Sequence, residues 1–361
     1  FKQKTAYEIR LSLVGSEMCI RDSMLYVAEG TEEDRPLPLA ARLRSRLALP
    51  VIGAPLFIVS NPDLVIAQCT SGIVGSFPAL NARPAEVLDQ WIERIAAELA
   101  VYEREHVGAK VAPFAVNQII HQSNDRLDHD LDACVRHRVP IIITSLRAPN
   151  DVVRRIHDYG GVVFHDVISI RHAEKALEAG VDGLVLVCAG AGGHAGMLSP
   201  FALVREVRRF FDGPIALSGA ITDGAGVLAA EALGADFAYL GTRFVASREA
   251  NATDAYKHAI MDSAAADIVY TPYFTGVHGN YLKSSIANAG LDPANLPAVD
   301  KTSMDFGTGR GKESGKKPWK DIWGAGQGVG NIADAPAARE VVERLVREYA
   351  AAKARLLAAE T

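Results

Sequence analysis

Between residues 50 and 240, short apolar runs alternate with longer amphipathic segments, and the alternation repeats eight times. Runs of four to nine residues rich in Val, Ile, Leu and Phe are typical of strands buried on both faces. The eight predicted strands are residues 51–59, 73–77, 114–120, 141–146, 162–167, 184–189, 215–218 and 237–240. Strands that alternate with helices along a chain indicate an α/β fold with a parallel sheet.

The segments between these strands have helical periodicity, with residues that start and stop helices at their ends. The predicted helices are residues 84–101, 125–138, 151–159, 170–179, 200–211 and 223–233. Ser169 stands where an N-cap is preferred, and Gly180 follows the last turn of the same helix. A final amphipathic helix is predicted over residues 335–359 and is expected to pack on the outside of the fold.

Polar residues and glycines recur where the predicted strands end. They are Pro55, Asn117, Ser145, His165, Asp166, Gly190, Ser218, Gly219, Gly241 and Thr242. A (β/α)8 barrel gathers the carboxyl ends of all eight strands around one mouth, which explains this placement. We therefore expect a TIM barrel, and a doubly wound sheet is the alternative.

The composition excludes several classes of function. The 361 residues are 49% hydrophobic and carry a net charge of −5, so a large core is possible and no basic face for nucleic acid stands out. No apolar segment has the length of a membrane span. The four cysteines lack C-x-x-C spacing and zinc-type histidine partners, so no metal site is expected. We expect a globular cytoplasmic protein without membrane or nucleic-acid partners.

Two parts of the chain fall outside the alternation. Residues 1–23 have no helical period and resemble a translated cloning adaptor, so we expect a non-native, disordered leader. Residues 270–330 are rich in Gly, Pro, Asn and Lys, and so long an irregular stretch is usually a lid or a binding loop. The predicted domains are a barrel of residues 24–269 and 331–361, and a lid or substrate-binding insertion of residues 270–330.

The loop after the sixth predicted strand combines glycines with a histidine. In Gly190-Ala-Gly-Gly-His-Ala195 the glycines allow positive φ angles and the close approach of a flat ligand. His194 is the one side chain in this loop that can take up a proton near neutral pH. We predict a ring-binding loop with His194 as catalytic base. The alternative is a glycine-rich turn with a solvated histidine.

This loop also matches a relaxed dinucleotide-binding pattern, G-x-G-x-x-A. That pattern requires a helix that begins within the motif and an acidic residue at the end of the next strand. Here the helix begins only after Ser199, and the next strand ends in Ser218 and Gly219. The sequence therefore argues against a Rossmann site.

The loops after the seventh and eighth strands predict a phosphate site. Ser218, Gly219 and Ala220 form one loop, and Gly241 and Thr242 begin the other. TIM barrels commonly bind phosphate between these two loops through backbone N–H groups. Two tight turns without a ligand are the alternative, and the presence of both loops favours phosphate.

Residues at the ends of the first, third and fifth strands complete the predicted site. Ala54, Pro55 and Leu56 can present backbone groups to a flat ring, and Asn117 an amide, although Asn is also a common turn residue. Asp166 follows a histidine, and adjacent strand residues point to opposite faces. We assign a ring contact to Asp166 and no role to the histidine.

Several of these segments together resemble the nitronate monooxygenase family, formerly called 2-nitropropane dioxygenases. They are Ala54-Pro55, Phe114-Ala-Val-Asn117, Ala191-Gly-Gly-His194-Ala-Gly196, Ser218-Gly219 and Gly241-Thr-Arg-Phe244. The similarity runs from about Leu47 to the C-terminal helix. The resemblance implies a TIM barrel that binds FMN non-covalently, with His194 as the base. The implied FMN contacts are Asn117, Gly192, Gly193, Gly219, Gly241 and Thr242.

The resemblance further implies an oxidoreductase that converts alkyl nitronates and O2 to a carbonyl compound and nitrite. Its partners would be this small substrate and O2, and a homodimer is left open. One alternative is an NAD(P)H-dependent reductase of quinones or enoyl thioesters, in which Lys283, Lys316 and Lys317 of the lid could hold phosphates. A flavin-binding protein without turnover is the other alternative.

The chain departs from the family pattern in two places. Val187-Cys188 stands where the family often has Gln-Gly, and Gly219-Ala220 where it often has Gly-Gly. Both changes alter the groups that could hydrogen-bond to the flavin. We therefore expect them to affect which reaction is catalysed more than whether the cofactor binds. The segment of residues 323–327 resembles the family's late loop, which we expect to close over the flavin.

Overall fold

The eight-stranded sheet at the centre of the molecule is entirely parallel. The structure is a computed structural model and describes residues 37–297 and 321–358. Its strands, together with three that lie outside the large sheet, are β1 (Val51–Gly53), β2 (Gly75–Pro78), β3 (Phe114–Ile120), β4 (Ile141–Leu146), β5 (Val162–Val167), β6 (Gly183–Val187), β7 (Gly193–His194), β8 (Ile215–Ser218), β9 (Phe237–Leu240), β10 (Ile268–Thr271) and β11 (Gly279–Leu282). The order in the large sheet is β1-β9-β8-β6-β5-β4-β3-β2.

The two ends of this order meet and close the sheet into a barrel. The amide of Gly53 donates to the carbonyl of Val74 over 2.8 Å, and the amide of Val74 donates to Val51 over 3.1 Å. Val74 directly precedes β2, so β1 and β2 are neighbours. The predicted TIM barrel is confirmed, and the doubly wound alternative is wrong because an open sheet has no such bonds between its edges.

Helices connect the strands and cover the outside of the barrel. They are α1 (Leu39–Ser45), α2 (Pro62–Thr70), α3 (Val87–Glu105), α4 (Leu127–Arg136), α5 (Asn150–His157), α6 (Ile170–Glu178), α7 (Pro200–Val207), α8 (Gly224–Leu233), α9 (Thr242–Val245), α10 (Asp254–Met261), α11 (Lys283–Asn288) and α12 (Ala338–Ala358). The side chain of Ser169 caps α6, as predicted, and Asp223 caps α8. Gly234 ends α8 in the left-handed conformation that favours glycine.

Alternate residues along each strand belong to two different hydrophobic cores. One face of each strand packs under the helices, and the other fills the barrel with residues such as Ile143, Val185 and Ala216. Phe164 and Phe237 meet edge to face inside the barrel, with ring centroids 6.4 Å apart. A Cβ at Gly183 would overlap the Phe164 ring, so glycine on the neighbouring strand makes room for this aromatic pair.

A second, antiparallel sheet lies outside the barrel. β10 pairs with β11, and β11 pairs with β7, which is part of the glycine-rich loop. We call β7, β10 and β11 the lid sheet. Neither β11 nor α11 was expected, because residues 270–330 show no clear periodicity in sequence.

The C-terminal helix α12 packs against α8, where a Cβ at Gly224 would overlap the backbone of α12.

The element boundaries differ from the predictions mainly at strand ends. The first strand stops at Gly53 rather than residue 59, because residues 54–60 leave the sheet as a loop. The predicted leader and Lys316 and Lys317 lie outside the described residues. Within residues 37–297 and 321–358, no helix is both long and apolar enough to cross a membrane.

Candidate active site

Six strands contribute one inward-facing side chain each at their carboxyl ends. Because side chains alternate between the two faces of a strand, a residue two positions after one that faces the barrel interior also faces inward at the mouth. These side chains are Asn117, Ser145, Asp166, Val187, Ser218 and Tyr239. His165 lies on the opposite face, where its Nδ1 is 2.8 Å from the hydroxyl of Thr144. Asp166 therefore reaches the mouth and His165 does not, as the alternation predicts.

A cavity of about 580 Å³ opens at this end of the barrel. Every residue predicted for the site lines it, although they come from six separate segments of the chain. They are Ala54, Pro55, Leu56, Asn117, Asp166, Gly192, Gly193, His194, Ser218, Gly219, Ala220, Gly241 and Thr242. The volume lies within the range of small-molecule and cofactor sites.

A hydrogen-bonded row of side chains crosses three neighbouring strands at the floor of the cavity. The amide of Asn117 donates to the hydroxyl of Ser145 over 2.8 Å, and this hydroxyl donates to Oδ2 of Asp166 over 2.6 Å. Burial nevertheless raises the pKa of Asp166 to about 6. The charge of Asp166, after burial itself, helps to raise the pKa of Tyr239 well above its usual value.

His194 lies on β7, an edge strand of the lid sheet. Its Nε2 is 2.8 Å from Oγ1 of Thr275, and this hydroxyl donates to the carbonyl of Val277 over 3.1 Å. Because the single hydroxyl proton goes to Val277, Thr275 accepts a hydrogen bond from Nε2–H, which makes Nδ1 the basic nitrogen of His194. Burial lowers the pKa of His194 to about 4, so the imidazole is neutral at pH 7.

The late loop, residues 323–327, packs against the glycine-rich loop. The amide of Gly326 donates to Oγ1 of Thr242 over 2.9 Å, and the side chain of Asn280 donates to the carbonyl of Ala191 over 2.6 Å. A Cβ at Gly192 would lie 2.8 Å from the amide nitrogen of Gly326. Glycine at 192 is therefore required for the late loop to close over this side of the cavity.

The loops after β8 and β9, where a phosphate cradle is predicted, both line the cavity. Gly219 has φ +145°, and a Cβ there would lie 2.8 Å from the carbonyl oxygen of Ala189. None of the described residues accepts a hydrogen bond from the backbone N–H of Gly219 or Ala220. Asp223 and Glu348 instead accept from the first amides of α8. Donors for an anion therefore come from the loop itself rather than from the start of α8.

Sequence reasoning assigned no role to three polar residues of the cavity and its surroundings. Ser145 is among the polar residues at strand ends but received no function of its own. Tyr239 lies within an apolar predicted strand, although it has the same inward register. Thr275 had no local signal, because only the lid sheet brings it to His194.

The fold and the cavity define a (β/α)8 barrel with a small-molecule site at the carboxyl ends of its strands. A family model described as nitronate monooxygenase matches residues 45–348, and the chain belongs to that family. A nitronate monooxygenase from Paraburkholderia phytofirmans is 29% identical over 345 residues, covering 83% of this chain and 92% of that protein. The predicted family is confirmed.

Another relative and two similar solved structures have names other than nitronate monooxygenase. The (3aS,4S,5R,7aS)-5-hydroxy-7a-methyl-1-oxo-octahydro-1H-indene-4-carboxyl-CoA dehydrogenase of Rhodococcus jostii is 25% identical over 240 residues, 66% of this chain and 64% of that protein. Nitroalkane oxidase from Streptomyces ansochromogenes superposes with a TM-score of 0.69 at 23% identity, covering 87% of this chain and 99% of that one. FabK from Thermotoga maritima superposes at 0.67 and 21% identity, covering 90% and 99%. At this identity the two structures support the fold.

Proposed function

We propose that the chain is an FMN-dependent nitronate monooxygenase that oxidises small alkyl nitronates with O2 to a carbonyl compound and nitrite. The observation that carries the proposal is a single cavity lined both by half-buried, neutral His194 and by the loops at Gly219 and Thr242. The Paraburkholderia relative, which matches most of the chain, is a nitronate monooxygenase.

The residues of the cavity suit a flavin mononucleotide. The amides of Gly219 and Ala220 would donate to its phosphate, together with Thr242, whose Oγ1 already accepts from Gly326 and so keeps its proton for another acceptor. Gly192 and Gly193 would lie along the ring, and Asn117 would contact its polar side.

When bound, FMN would supply the redox chemistry by taking electrons from the nitronate and passing them to O2. His194 would orient the substrate and take a proton from its α-carbon if a neutral nitroalkane enters. An imidazole with a pKa of about 4 is a weak base. A nitronate is already deprotonated, so this site suits nitronates better than nitroalkanes.

The walls of the cavity determine which substrates enter. Leu56, Ile119, Val187 and Val245 give it apolar sides, which accept an alkyl group and exclude water. The lid sheet and the late loop add His194, Gly324 and Gly326 to the lining. A small apolar substrate beside a ring is therefore the arrangement that fills this space.

One comparison favours a second candidate function, a reductase of acyl thioesters or quinones that uses NAD(P)H. The Rhodococcus relative is named as a carboxyl-CoA dehydrogenase. The predicted lid lysine gives this candidate little support, because Lys283 donates to the carbonyl of Ala266 and lines a separate surface depression beside Asp262.

Anaerobic reduction of the purified protein separates the candidates. We expect a yellow protein that releases FMN on denaturation and whose flavin absorbance is bleached by an alkyl nitronate. Rapid bleaching by NADH or NADPH, with none by nitronate, would establish the reductase instead. A protein that contains FAD, or that fails to bind added FMN, would rule out the proposal.

A further inference from the structure

Two buried polar atoms at the cavity floor lack partners. Among the described residues, neither Oδ1 of Asp166 nor the hydroxyl of Tyr239 has a hydrogen-bond partner. Both side chains line the cavity, and Tyr239 is only 7% exposed. A buried polar atom without a partner is costly, so a ligand that completes both bonds would be strongly preferred.

The two atoms have opposite hydrogen-bonding roles. Asn117 donates to Ser145 and Ser145 donates to Oδ2 of Asp166, so this row ends in a carboxylate whose other oxygen is an acceptor. The raised pKa of Tyr239 keeps its hydroxyl protonated, which makes it a donor. Between β5 and β9 stand β6 and β8, so the acceptor and the donor reach the cavity from different sides.

A ligand edge that offers a hydrogen-bond donor beside an acceptor would satisfy both atoms. The N–H group and the carbonyl oxygen of an imide or a lactam are such a pair, whereas an alkyl group offers neither. We propose that Asp166 and Tyr239 bind the imide edge of the isoalloxazine ring, Asp166 accepting from its N3–H and Tyr239 donating to an adjacent carbonyl oxygen. This inference rests on the proposed binding of FMN, and it orients the ring with its pyrimidine edge towards the barrel floor.

The test compares FMN with N3-methyl-FMN in fluorescence titrations of the apoprotein at pH 8. The methyl group removes the N3–H donor, so the wild type should bind the analogue at least about tenfold more weakly. Asp166→Leu has a similar shape and no acceptor. It should bind FMN about as weakly as it binds the analogue, whereas a purely steric effect of the methyl group would leave the discrimination intact in this variant.

The donor is tested separately with Tyr239→Phe. Losing the hydroxyl should weaken the binding of FMN and of its analogue by the same factor, about two- to tenfold. Tyr159→Phe is the matched control, because its hydroxyl donates to the carbonyl of Val139 before β4, at the opposite end of the barrel. It should leave both affinities unchanged.

The outcomes separate this inference from the proposed function. If the wild type binds FMN and N3-methyl-FMN within about twofold of each other, the orientation is wrong and the FMN proposal stands. If Asp166→Leu retains the discrimination, the carboxylate is not the acceptor. If the wild type binds no FMN, both proposals fail.

Discussion

The barrel and the lid sheet reach the same cavity by different routes. Within the barrel, the row from Asn117 to Asp166 joins neighbouring βα units, and Ser145 and Asp166 are 21 residues apart. Across the lid, His194 and Thr275 are 81 residues apart, and Ala191 and Asn280 are 89 apart. Neighbouring βα units therefore form the floor of the cavity, whereas a few hydrogen bonds between residues far apart in sequence position His194.

From this difference we expect the barrel to determine mainly the stability of the protein and the lid sheet mainly its catalysis. The barrel strands are buried on both faces and carry most of the core, so changes there should alter the free energy of unfolding. In the lid sheet β11 is buried, whereas β7 and most of β10 are partly exposed, so changes in β7 and β10 should alter catalysis more than stability. The following predictions test this division, from the largest expected effect to the smallest.

Replacement of His194 by Asn should produce the largest catalytic effect. If His194 is the base, kcat/KM for a neutral nitroalkane should fall by about 10²–10⁴-fold. The nitronate needs no proton removed, so its kcat/KM should fall only modestly. The measurement is both constants at one pH in both proteins, and an unchanged ratio between the two substrates would exclude His194 as base.

Replacement of Phe164 by Ala should cost the most stability. This ring is fully buried inside the barrel against Phe237, so the free energy of unfolding should fall by about 3–5 kcal/mol. Phe201 on α7 is 69% exposed, and Phe201→Ala is the matched control with little expected change. Denaturant unfolding measures both, and equal losses would contradict the assignment of the core.

Thr275→Val removes the acceptor that holds Nε2–H of His194. We expect kcat/KM for a nitroalkane to fall about tenfold, because the proton is no longer confined to Nε2. The unfolding midpoint should hardly move. Thr271→Val, at the end of β10, serves as control, because the hydroxyl of Thr271 accepts from the amide of Tyr273. A large loss of stability with unchanged kinetics would show that Thr275 acts in the fold.

The buried histidines should give the smallest effect, a pH dependence of stability. Burial lowers the pKa of His165 to about 4 from its ordinary 6.5, so the unfolded chain binds more protons between these values. This contribution is present above pH 6.5 and is lost as the pH falls towards 4, at most about 1.4 kcal/mol per pH unit. The raised pKa of Asp166 acts in the opposite direction between 3.8 and about 6.

His165→Gln isolates this contribution. The free energy of unfolding of the variant, relative to that of the wild type, should rise as the pH falls from 6.5 to 4. Urea unfolding at several pH values in this range is the measurement. Parallel curves for the two proteins would mean that His165 has the same pKa in the folded and unfolded chains.

The sequence alone determined the barrel and part of the cavity lining. Eight apolar runs separated by capped helices leave few alternatives to a closed parallel sheet, and in such a barrel every strand end meets at one mouth. Position at a strand end selected Asp166, Ser218 and Thr242, whereas Asn117 was selected through the family resemblance. Side-chain alternation also separated Asp166 from His165.

Only the tertiary structure decided which atoms meet across long stretches of chain. Thr275 and Asn280 carry no periodic or motif signal, and they reach His194 and Ala191 because the lid sheet pairs β11 with β7. The donor and acceptor roles of Tyr239 and Asp166 likewise depend on burial and on missing partners. Local patterns encode which face a residue takes, whereas hydrogen-bond partners and pKa values depend on neighbours that only folding brings together.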